Sequence, residues 1–241
     1  MKDKQDIDYR FSTPICKIEL SAFPAHRDGL ISFVKALQKS TEGIQSSNYQ
    51  GWHSERFLHV EPRHPDLKWL VRKIGIETVK TLQAVTESKY GVDVRLRELW
   101  ANVNEAGGWN VPHVHPVSWA GIVYIKGHGG GEPAGAKVPE KGADRDKAGR
   151  PDLEGGDTVF LNPVAIATLF GQGNFSSYRP EPGHMLLFPG YLSHMVVPHA
   201  GSEDRITFAF NIDMLKKSRK PSPGPKPIPR EHVKPRVNVI V

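Results

Sequence analysis

The chain has 241 residues, of which 38% are hydrophobic and 24% are charged, and it contains one cysteine, Cys16. This length and composition predict a soluble globular protein with a sizeable core. One cysteine cannot form an intramolecular disulfide bond, and no apolar run approaches the length of a bilayer span. The sequence therefore argues against a disulfide-rich secreted protein and a transmembrane protein. Because no apolar signal core follows Met1, we expect a cytoplasmic location.

The net charge of +6 is concentrated at the C-terminus. Residues 216–241 contain eight Lys or Arg and one acid, Glu231, so this tail carries +7 and the rest of the chain about −1. A near-neutral body weighs against nucleic acid as a partner. The tail is rich in proline, which predicts an extended arm. Two interpretations stay open for it: a solvated tail, or an arm that packs on the second subunit of a homodimer.

The N-terminal part of the sequence predicts one strand and two helices. The strand enters through Pro14, and apolar residues at helical spacing after Asp28, a plausible N-cap, predict the first helix. Residues 41–64 are interpreted as a loop. The longer second helix is predicted to begin at Pro65 and to end at Gly91.

From residue 92 onward the sequence changes to short alternating segments typical of strands. The predicted strands are residues 92–104, 118–125, 157–161, 185–188 and 206–212. Gly-rich and Pro-Gly connections between them favour a mainly β fold with flanking helices, of the α+β class, arranged as a sandwich or jelly roll. Residues 127–156 form one long irregular connection, interpreted either as a lid or as a disordered insertion.

Three histidines have the spacing of a mononuclear metal site. His113 and His115 lie in the segment Trp109–Pro116, and His194 follows about 80 residues later. Residues i and i+2 of a β-strand point to the same face, so we expect His113 and His115 to offer two imidazoles to one ion. His194, after a Pro-Gly turn, would bring the third imidazole from a distant strand.

Arg205 follows His194 after a turn at residues 201–204, which predicts a hairpin with Arg205 one strand away from His194. An arginine fork binds a carboxylate through two hydrogen bonds, and Thr207 on the same face adds a hydroxyl donor. Other polar residues allow two interpretations each. Asn102 and Asn104 either bind a ligand or complete the edge of a barrel, and Tyr124 either points at the ligand or fills the core.

In this order and spacing, the motifs resemble those of the Fe(II)/2-oxoglutarate-dependent dioxygenase superfamily. The chain looks most like the bacterial and phage branch of small oxygenases that carry a His-x-His-Pro motif. The resemblance covers roughly residues 10–213. It rests on Phe11, Thr13-Pro14, His113-Val-His115-Pro116, Gly121 to Tyr124, Phe188-Pro189, His194, and Arg205-Ile-Thr207 through Asn211.

The resemblance implies a double-stranded β-helix, a cupin-like jelly roll, in one domain of residues 1–215 that precedes the tail of residues 216–241. It implies an enzyme that uses Fe(II), 2-oxoglutarate and O2, and that oxidises a small metabolite, amino acid or peptide side chain while succinate and CO2 leave. The implied metal ligands and catalytic residues are His113, His115 and His194. The implied 2-oxoglutarate contacts are Arg205, Thr207, Tyr124, Asn102 and Asn104.

One position departs from the superfamily pattern, because His115 stands where a carboxylate is usual. Three neutral imidazoles leave the site one negative charge short. His115 is therefore either a ligand or a neighbour of the ligands, with water completing the site. Two other functions stay open beside the 2-oxoglutarate oxygenase. These are a three-histidine iron dioxygenase whose substrate chelates the metal directly, and a non-catalytic binding module on the same fold.

Overall fold

The computed structural model describes residues 12–86, 91–127, 155–164, 173–199 and 201–215, together with residues 153 and 166. Phe11, most of the 127–156 connection and the basic tail lie outside these ranges, so the interpretations of them stay predictions. Within the described residues, no helix is long and apolar enough to cross a membrane.

The described residues form two α-helices, one short 3-10 helix and nine β-strands. The helices are the 3-10 helix Phe23–Ala25, α1 (Arg27–Ser40) and α2 (Pro65–Val85). The strands are β1 (Cys16–Glu19), β2 (Asn48–His53), β3 (Asp93–His113), β4 (Trp119–Lys126), β5 (Thr158–Leu161), β6 (Phe175–Tyr178), β7 (His184–Pro189), β8 (His194–Val196) and β9 (Arg205–Leu215). The predicted mainly β composition with few helices is confirmed.

The strands form one curled antiparallel sheet in the order β1-β7-β4-β9-β3-β8-β5-β6, and β2 pairs with β3. The sheet curls because β3 takes part in two ladders. Residues 93–104 pair with β9, whereas Asn110 and His113 pair with β8. Between these ladders lie Gly107, with φ +83°, and Gly108, where a Cβ would stand 2.5 Å from a backbone oxygen of β2. The result is a half-barrel of the predicted jelly-roll type.

The two faces of the sheet have different environments. Helices α1 and α2 cover the outer face and bury a large apolar cluster. It includes Leu30, Val34, Leu70, Ile74, Leu82, Leu99, Val123, Phe208 and Phe210. Each such side chain contributes about 1.5–3 kcal/mol when fully buried. The inner face carries a smaller apolar cluster around Trp100, Tyr124, Phe160 and Phe188. The inner face therefore has room for the polar side chains described below.

Both predicted helices exist, but their ends differ from the prediction. Helix α1 begins at Arg27, with His26 at the N-cap position. Asp28 is therefore not the N-cap; it lies in the first turn, where a carboxylate interacts favourably with the helix dipole. Helix α2 begins at Pro65 as predicted and ends at Val85, before the predicted end at Gly91.

Three short strands were not predicted. The segment 41–64, interpreted as a loop, contains β2, which pairs with β3. Strands β6 and β8 have four and three residues, too few to show a period. The predicted hairpin of His194 and Arg205 is also wrong. Strand β3 lies between β8 and β9, so the two residues come from opposite sides of β3.

Candidate metal centre

The three predicted histidines meet at the mouth of the half-barrel. His113 ends β3 and is the register partner of His194, which begins β8. Partners in an antiparallel ladder project their side chains to the same face, so these two imidazoles leave the sheet together. His115 lies two residues beyond the end of β3. The prediction that His113 and His115 share one face of a single strand is therefore wrong, although the imidazoles do converge.

The loop that carries His115 is held by the turn before His194. The amide of His115 donates to the carbonyl oxygen of Gly190 over 2.9 Å, and the amide of Gly190 donates to the carbonyl oxygen of Ser118 over 3.2 Å. This approach requires glycine, because a Cβ at Gly190 would lie 2.2 Å from the carbonyl oxygen of Val117. The Pro189-Gly190 turn thus fixes the third imidazole relative to the other two.

The ring nitrogens of His113, His115 and His194 all lie within 4.8 Å of one another. His115 Nε2 and His194 Nε2 lie 3.3 Å apart. The ring centroids of His113 and His194 are 4.3 Å apart. Three ligand atoms at this spacing can hold one metal ion, because Zn and Fe sites place imidazole nitrogens around a common centre.

Backbone carbonyls determine which nitrogen of two histidines faces the cluster. His113 Nδ1 lies 2.7 Å from the carbonyl oxygen of Val111, and His194 Nδ1 lies 3.0 Å from that of Leu192. A carbonyl oxygen only accepts, so each Nδ1 carries the proton and each Nε2 keeps its lone pair. Metal-binding histidines are commonly oriented in this way. The lone pair of His194 Nε2, facing His115 Nε2 at 3.3 Å, suits a shared electrophile such as a metal ion.

Burial keeps all three imidazoles neutral. Desolvation is the main cause that lowers the pKa of His194 to about 3 and that of His115 to about 4, and it also lowers the pKa of His113. Mutual repulsion of the three rings adds to the effect for His115 and His194. Neutral imidazole is the form that binds a metal, so the cluster is ready to do so at neutral pH.

The cluster opens into a cavity inside the half-barrel. The cavity extends from the histidines towards Arg205 and has both polar and apolar walls. Its lining consists of Ser47, Trp100, Asn102, Asn110, His113, His115, Gly121, Ile122, Phe188, His194, Val196, Arg205, Thr207 and Ala209. The structure therefore brings the predicted metal ligands, Arg205, Thr207 and Asn102 to one cavity.

Arg205 is 1% exposed, and neutral oxygens hold its guanidinium. Nε donates to the carbonyl oxygen of Gly156 over 2.9 Å. Nη1 donates to Asn104 Oδ1 and Nη2 to Thr158 Oγ1, each over 3.2 Å. Burial lowers the pKa of Arg205, but an arginine stays charged in proteins. None of the ion pairs within the described part of the chain involves Arg205, although the negative charge of the buried Asp157 opposes the lowering of its pKa. The described hydrogen-bond partners of the guanidinium are all neutral, which suits it to an anionic ligand.

Two residues predicted to contact the cosubstrate instead contact Arg205. Tyr124 lies 5.6 Å, ring centroid to Cζ, from the Arg205 guanidinium, and its hydroxyl donates to Thr158 Oγ1 over 2.8 Å. Burial raises the pKa of Tyr124 to about 12, so the phenol stays protonated. Asn104 accepts from Arg205, and neither Asn104 nor Tyr124 is among the described residues that line the cavity. The contacts of Tyr124 and Asn104 therefore fit a role in orienting the Arg205 guanidinium.

Asn102 and Thr207 form the polar wall next to Arg205. They are register partners on β3 and β9, and Asn102 Nδ2 lies 3.5 Å from Thr207 Oγ1. Both are almost fully buried. Asn102 Oδ1 has no hydrogen-bond partner among the described residues. A buried acceptor left unpaired costs about 1–3 kcal/mol, so a ligand that donates to it would be stabilised.

Sequence reasoning missed two polar residues of the cavity wall, Ser47 and Asn110. Asn110 Nδ2 donates to Ser47 Oγ over 3.2 Å, and Asn104 Nδ2 donates to Asn110 Oδ1 over 3.4 Å. This chain of hydrogen bonds runs from the cavity mouth to Asn104, which holds Arg205. Asn110 lies within the histidine motif, and this position could have marked it as a candidate site residue. No sequence signal pointed to Ser47, because it directly precedes β2, a strand that was not predicted.

His53 is a further buried imidazole, behind the cavity wall, where it stacks on Trp100 with ring centroids 5.5 Å apart. Burial is the main cause that lowers its pKa to about 4. The unfolded chain therefore binds a proton at this imidazole more readily than the folded chain does. Stability that is present above about pH 6.5 is lost as the pH falls towards 4.

Between these two pH values, we expect the free energy of unfolding of metal-free His53→Gln to fall by about 2–3 kcal/mol less than that of the metal-free wild type. Urea unfolding at several pH values measures this free energy. If it changes with pH equally in the variant and the wild type, the prediction is wrong.

Residues 98–211 match the model of a family described as "Putative 2OG-Fe(II) oxygenase". This segment contains the three histidines, Arg205 and Thr207. The match confirms the resemblance to the 2-oxoglutarate oxygenase superfamily. A comparison with curated proteins finds no match.

Solved structures confirm the jelly-roll fold. A prolyl-4-hydroxylase from Pseudomonas putida superposes with TM-score 0.53 at 11% identity, covering 83% of this chain and 93% of that one. HygX from Streptomyces hygroscopicus, with nickel, 2-oxoglutarate and hygromycin B bound, gives 0.52 at 11% identity, covering 83% of each chain. A Trichoplax adhaerens prolyl hydroxylase in complex with a hypoxia-inducible factor peptide gives 0.52 at 12% identity, also covering 83% of each.

Proposed function

We propose that this chain uses Fe(II) and 2-oxoglutarate to hydroxylate, or otherwise oxidise, a small metabolite, amino acid or peptide side chain. In a hydroxylation, one oxygen atom of O2 enters the substrate C–H bond and the other enters succinate, and CO2 is released. One observation carries the proposal: three neutral imidazoles converge in the same cavity as a buried arginine whose described hydrogen-bond partners are all neutral. We assign the activity to a single domain of residues 1–215.

His113, His115 and His194 would hold the iron, which, when bound, supplies the redox chemistry with O2. The donor set fits this role, because each ring is neutral and two of the three present an unprotonated Nε2 to the cluster. The carbonyl oxygens of Val111 and Leu192 fix the two tautomers. This orientation keeps the ligand atoms in place without rearrangement when the metal binds.

Arg205 and Thr207 would take the distal carboxylate of 2-oxoglutarate. A dicarboxylate is suited to this cavity because its two charged ends can reach the metal cluster and the guanidinium, which line the same space. Tyr124 and Asn104 would act indirectly, by orienting Arg205. Asn102 would bind a donor at its unpaired oxygen, such as an ordered water beside the cosubstrate.

The apolar wall of the cavity would keep bulk water away from the reacting centre. Trp100, Ile122, Phe188 and Ala209 line it between the histidines and Thr207. In such a site electrostatic interactions are stronger, and reactive species are protected from side reactions. Proteins of similar fold bind ligands of different kinds: HygX binds hygromycin B, and the Trichoplax adhaerens prolyl hydroxylase binds a peptide fragment. A small molecule or a peptide is therefore compatible with this fold.

Succinate release tests the proposed function. Protein reconstituted with Fe(II) without oxygen is mixed with 2-oxoglutarate, exposed to air, and assayed for succinate. We expect succinate above a metal-free control, because the proposed reaction releases succinate only when the histidine cluster holds the metal. If metal-loaded protein neither binds nor consumes 2-oxoglutarate, the proposal fails. Oxygen uptake that does not require 2-oxoglutarate would instead favour the three-histidine dioxygenase, in which Arg205 holds the substrate's own carboxylate.

His115→Asp tests the third ligand. We expect the variant to keep one Fe(II) per chain, because a carboxylate is also an iron ligand and restores the missing negative charge. We expect its visible spectrum with Fe(II) and 2-oxoglutarate to change, because an anionic ligand replaces a neutral one. Metal analysis and anaerobic absorption spectra measure both. If stoichiometry, spectrum and turnover all match the wild type, His115 is not a ligand.

A further inference from the structure

A polar cluster adjoins the cavity at the end of the sheet away from the buried arginine. We name Arg56, Glu98 and Asn211 the rim cluster. Glu98 and Asn211 are register partners on β3 and β9, two register pairs beyond Trp100 and Ala209, which line the cavity. Because alternate residues of a strand share a face, Glu98 and Asn211 face the interior of the half-barrel. The proposed binding of iron and 2-oxoglutarate does not use them.

Asn211 carries an unused acceptor at this position. Its Nδ2 donates to Glu98 Oε2, which leaves Asn211 Oδ1 beside the carboxylate. Asn211 is 3% exposed, and Oδ1 has no hydrogen-bond partner among the described residues. Leaving a buried acceptor unpaired costs about 1–3 kcal/mol, so a ligand with a donor would be stabilised here. Glu98 and Asn211 thus place an anionic acceptor, the carboxylate, beside a neutral acceptor, the amide oxygen.

Arg56 extends the rim cluster towards the mouth of the cavity. Its Nη2 donates to Ser46 Oγ over 3.0 Å, and the next residue, Ser47, lines the cavity. Its Nη1 lies 3.9 Å from Glu98 Oε1, too far for a hydrogen bond. The Arg56 side chain is 42% exposed and that of Glu98 17%. The two charges are therefore neighbours that do not fully satisfy each other, and a ligand can reach both.

This pair of charges selects among classes of ligand. A lone carboxylate near Arg56 would also meet the negative charge of Glu98, and a lone amine near Glu98 would meet the positive charge of Arg56. A molecule with an ammonium and a carboxylate on one carbon atom avoids both conflicts. Its carboxylate would accept from Arg56, and its ammonium would donate to Glu98 and to Asn211 Oδ1.

We propose that the primary substrate is a free α-amino acid, bound as a zwitterion by Arg56, Glu98 and Asn211. This inference rests on the proposed function and narrows its substrate class. The amino-acid side chain would extend over Trp100, whose ring centroid lies 5.9 Å from that of His115. The substrate would thereby approach the histidine cluster from the side opposite the arginine that takes 2-oxoglutarate.

Binding to the loaded protein tests this inference. The full chain, loaded with Ni(II) and 2-oxoglutarate, is titrated by calorimetry with each of the standard L-α-amino acids. Any that bind are compared with their N-acetyl and carboxamide derivatives. We expect at least one amino acid to bind and, in the Fe(II) protein, to increase succinate formation. Removing either charge should weaken binding by about tenfold or more, since a charge-assisted hydrogen bond contributes about 1.5–3 kcal/mol.

Two variants assign the charges to residues. Glu98→Gln and Arg56→Gln should each raise the dissociation constant of the amino acid about tenfold or more while that of 2-oxoglutarate stays the same. Lys80→Gln is the matched control. It removes the positive charge of an exposed lysine that pairs with Glu77 on α2, and this helix packs on the opposite face of the sheet. It should change neither constant. If a variant fails to fold, the blocked derivatives on the wild-type protein still give the answer.

Distinct outcomes separate this inference from the proposed function. If 2-oxoglutarate binds but no free amino acid does, the zwitterion site is overturned and the proposed function stands. The same holds if acetylated or amidated derivatives bind as tightly as the free amino acid. If the Ni(II) protein does not bind 2-oxoglutarate, both the proposed function and this inference fail.

Discussion

His194→Ala is expected to abolish stoichiometric Fe(II) binding. His194 is the most enclosed of the three imidazoles, at 3% exposed, and its ring centroid lies 4.3 Å from that of His113 and 5.1 Å from that of His115. Replacing a residue that merely orients a metal ligand typically costs 10–100-fold in affinity, so loss of a ligand in a three-residue site should cost more than about 100-fold. Titration with Co(II), followed by its absorption bands, measures the affinity without interference from oxidation.

The matched control for this substitution is His184→Ala. His184 is a partly buried histidine at the start of β7, near Glu181 and outside the cluster. Removing it should leave the metal affinity unchanged, so the comparison separates a ligand from any histidine that binds metal at the surface. Thermal unfolding of both metal-free variants checks that each is folded. Wild-type affinity in folded His194→Ala would remove the three-histidine assignment.

Among the strands predicted from the sequence, β4, β7 and β9 are long enough to show a clear pattern. Each buries one or both faces over six or more residues, and the predicted segments overlap these strands, although the one for β4 begins one residue early, at Ser118. β2 escaped prediction for a physical reason. Its sequence is polar, and Gln50, with φ 49°, interrupts the register between Tyr49 and Gly51. A bulged strand of this kind has no regular period of two residues.

The candidate site was also predictable only in part. The residue types and their order predicted a metal cluster and a nearby arginine, because few side chains bind a metal or a carboxylate. The spatial arrangement did not follow from local spacing. His115 reaches the cluster through a loop held by Gly190, and Arg205 faces the cavity across β3 rather than across a hairpin. Both depend on contacts between residues far apart in the chain, which a period within one strand does not report.

The rim cluster shows the same limit most clearly. Arg56 lies in a segment interpreted as a loop, and Glu98 lies in a strand predicted only from its alternation. Their proximity depends on the hydrogen bond from the amide of Leu99 to the carbonyl oxygen of Arg56, 2.8 Å long, which fixes the segment beside β3. Residue type alone gave no reason to join them, since a single Arg or Glu is usually a solvated surface residue.

Arg205→Lys is expected to weaken 2-oxoglutarate binding by about 100-fold or more, measured by calorimetry on Ni(II)-loaded protein. Losing one partner of a buried charge pair costs about 2–5 kcal/mol. Lysine keeps the charge but offers a single ammonium, which cannot bond to Gly156, Asn104 and Thr158 and also grip a carboxylate through two donors. The conservative change is preferred to alanine because it leaves a cation in the buried site.

A second ligand distinguishes carboxylate binding from a general structural defect. 2-Oxovalerate has the same carbon chain as 2-oxoglutarate, with a methyl group in place of the distal carboxylate. The wild type should strongly prefer 2-oxoglutarate, and Arg205→Lys should lose most of that preference because it weakens only the ligand with the distal charge. Thr207→Val should reduce the preference less, by about tenfold, as expected for one neutral hydrogen bond. If Arg205→Lys weakens both ligands equally, the guanidinium supports the fold of the cavity and does not bind the distal carboxylate.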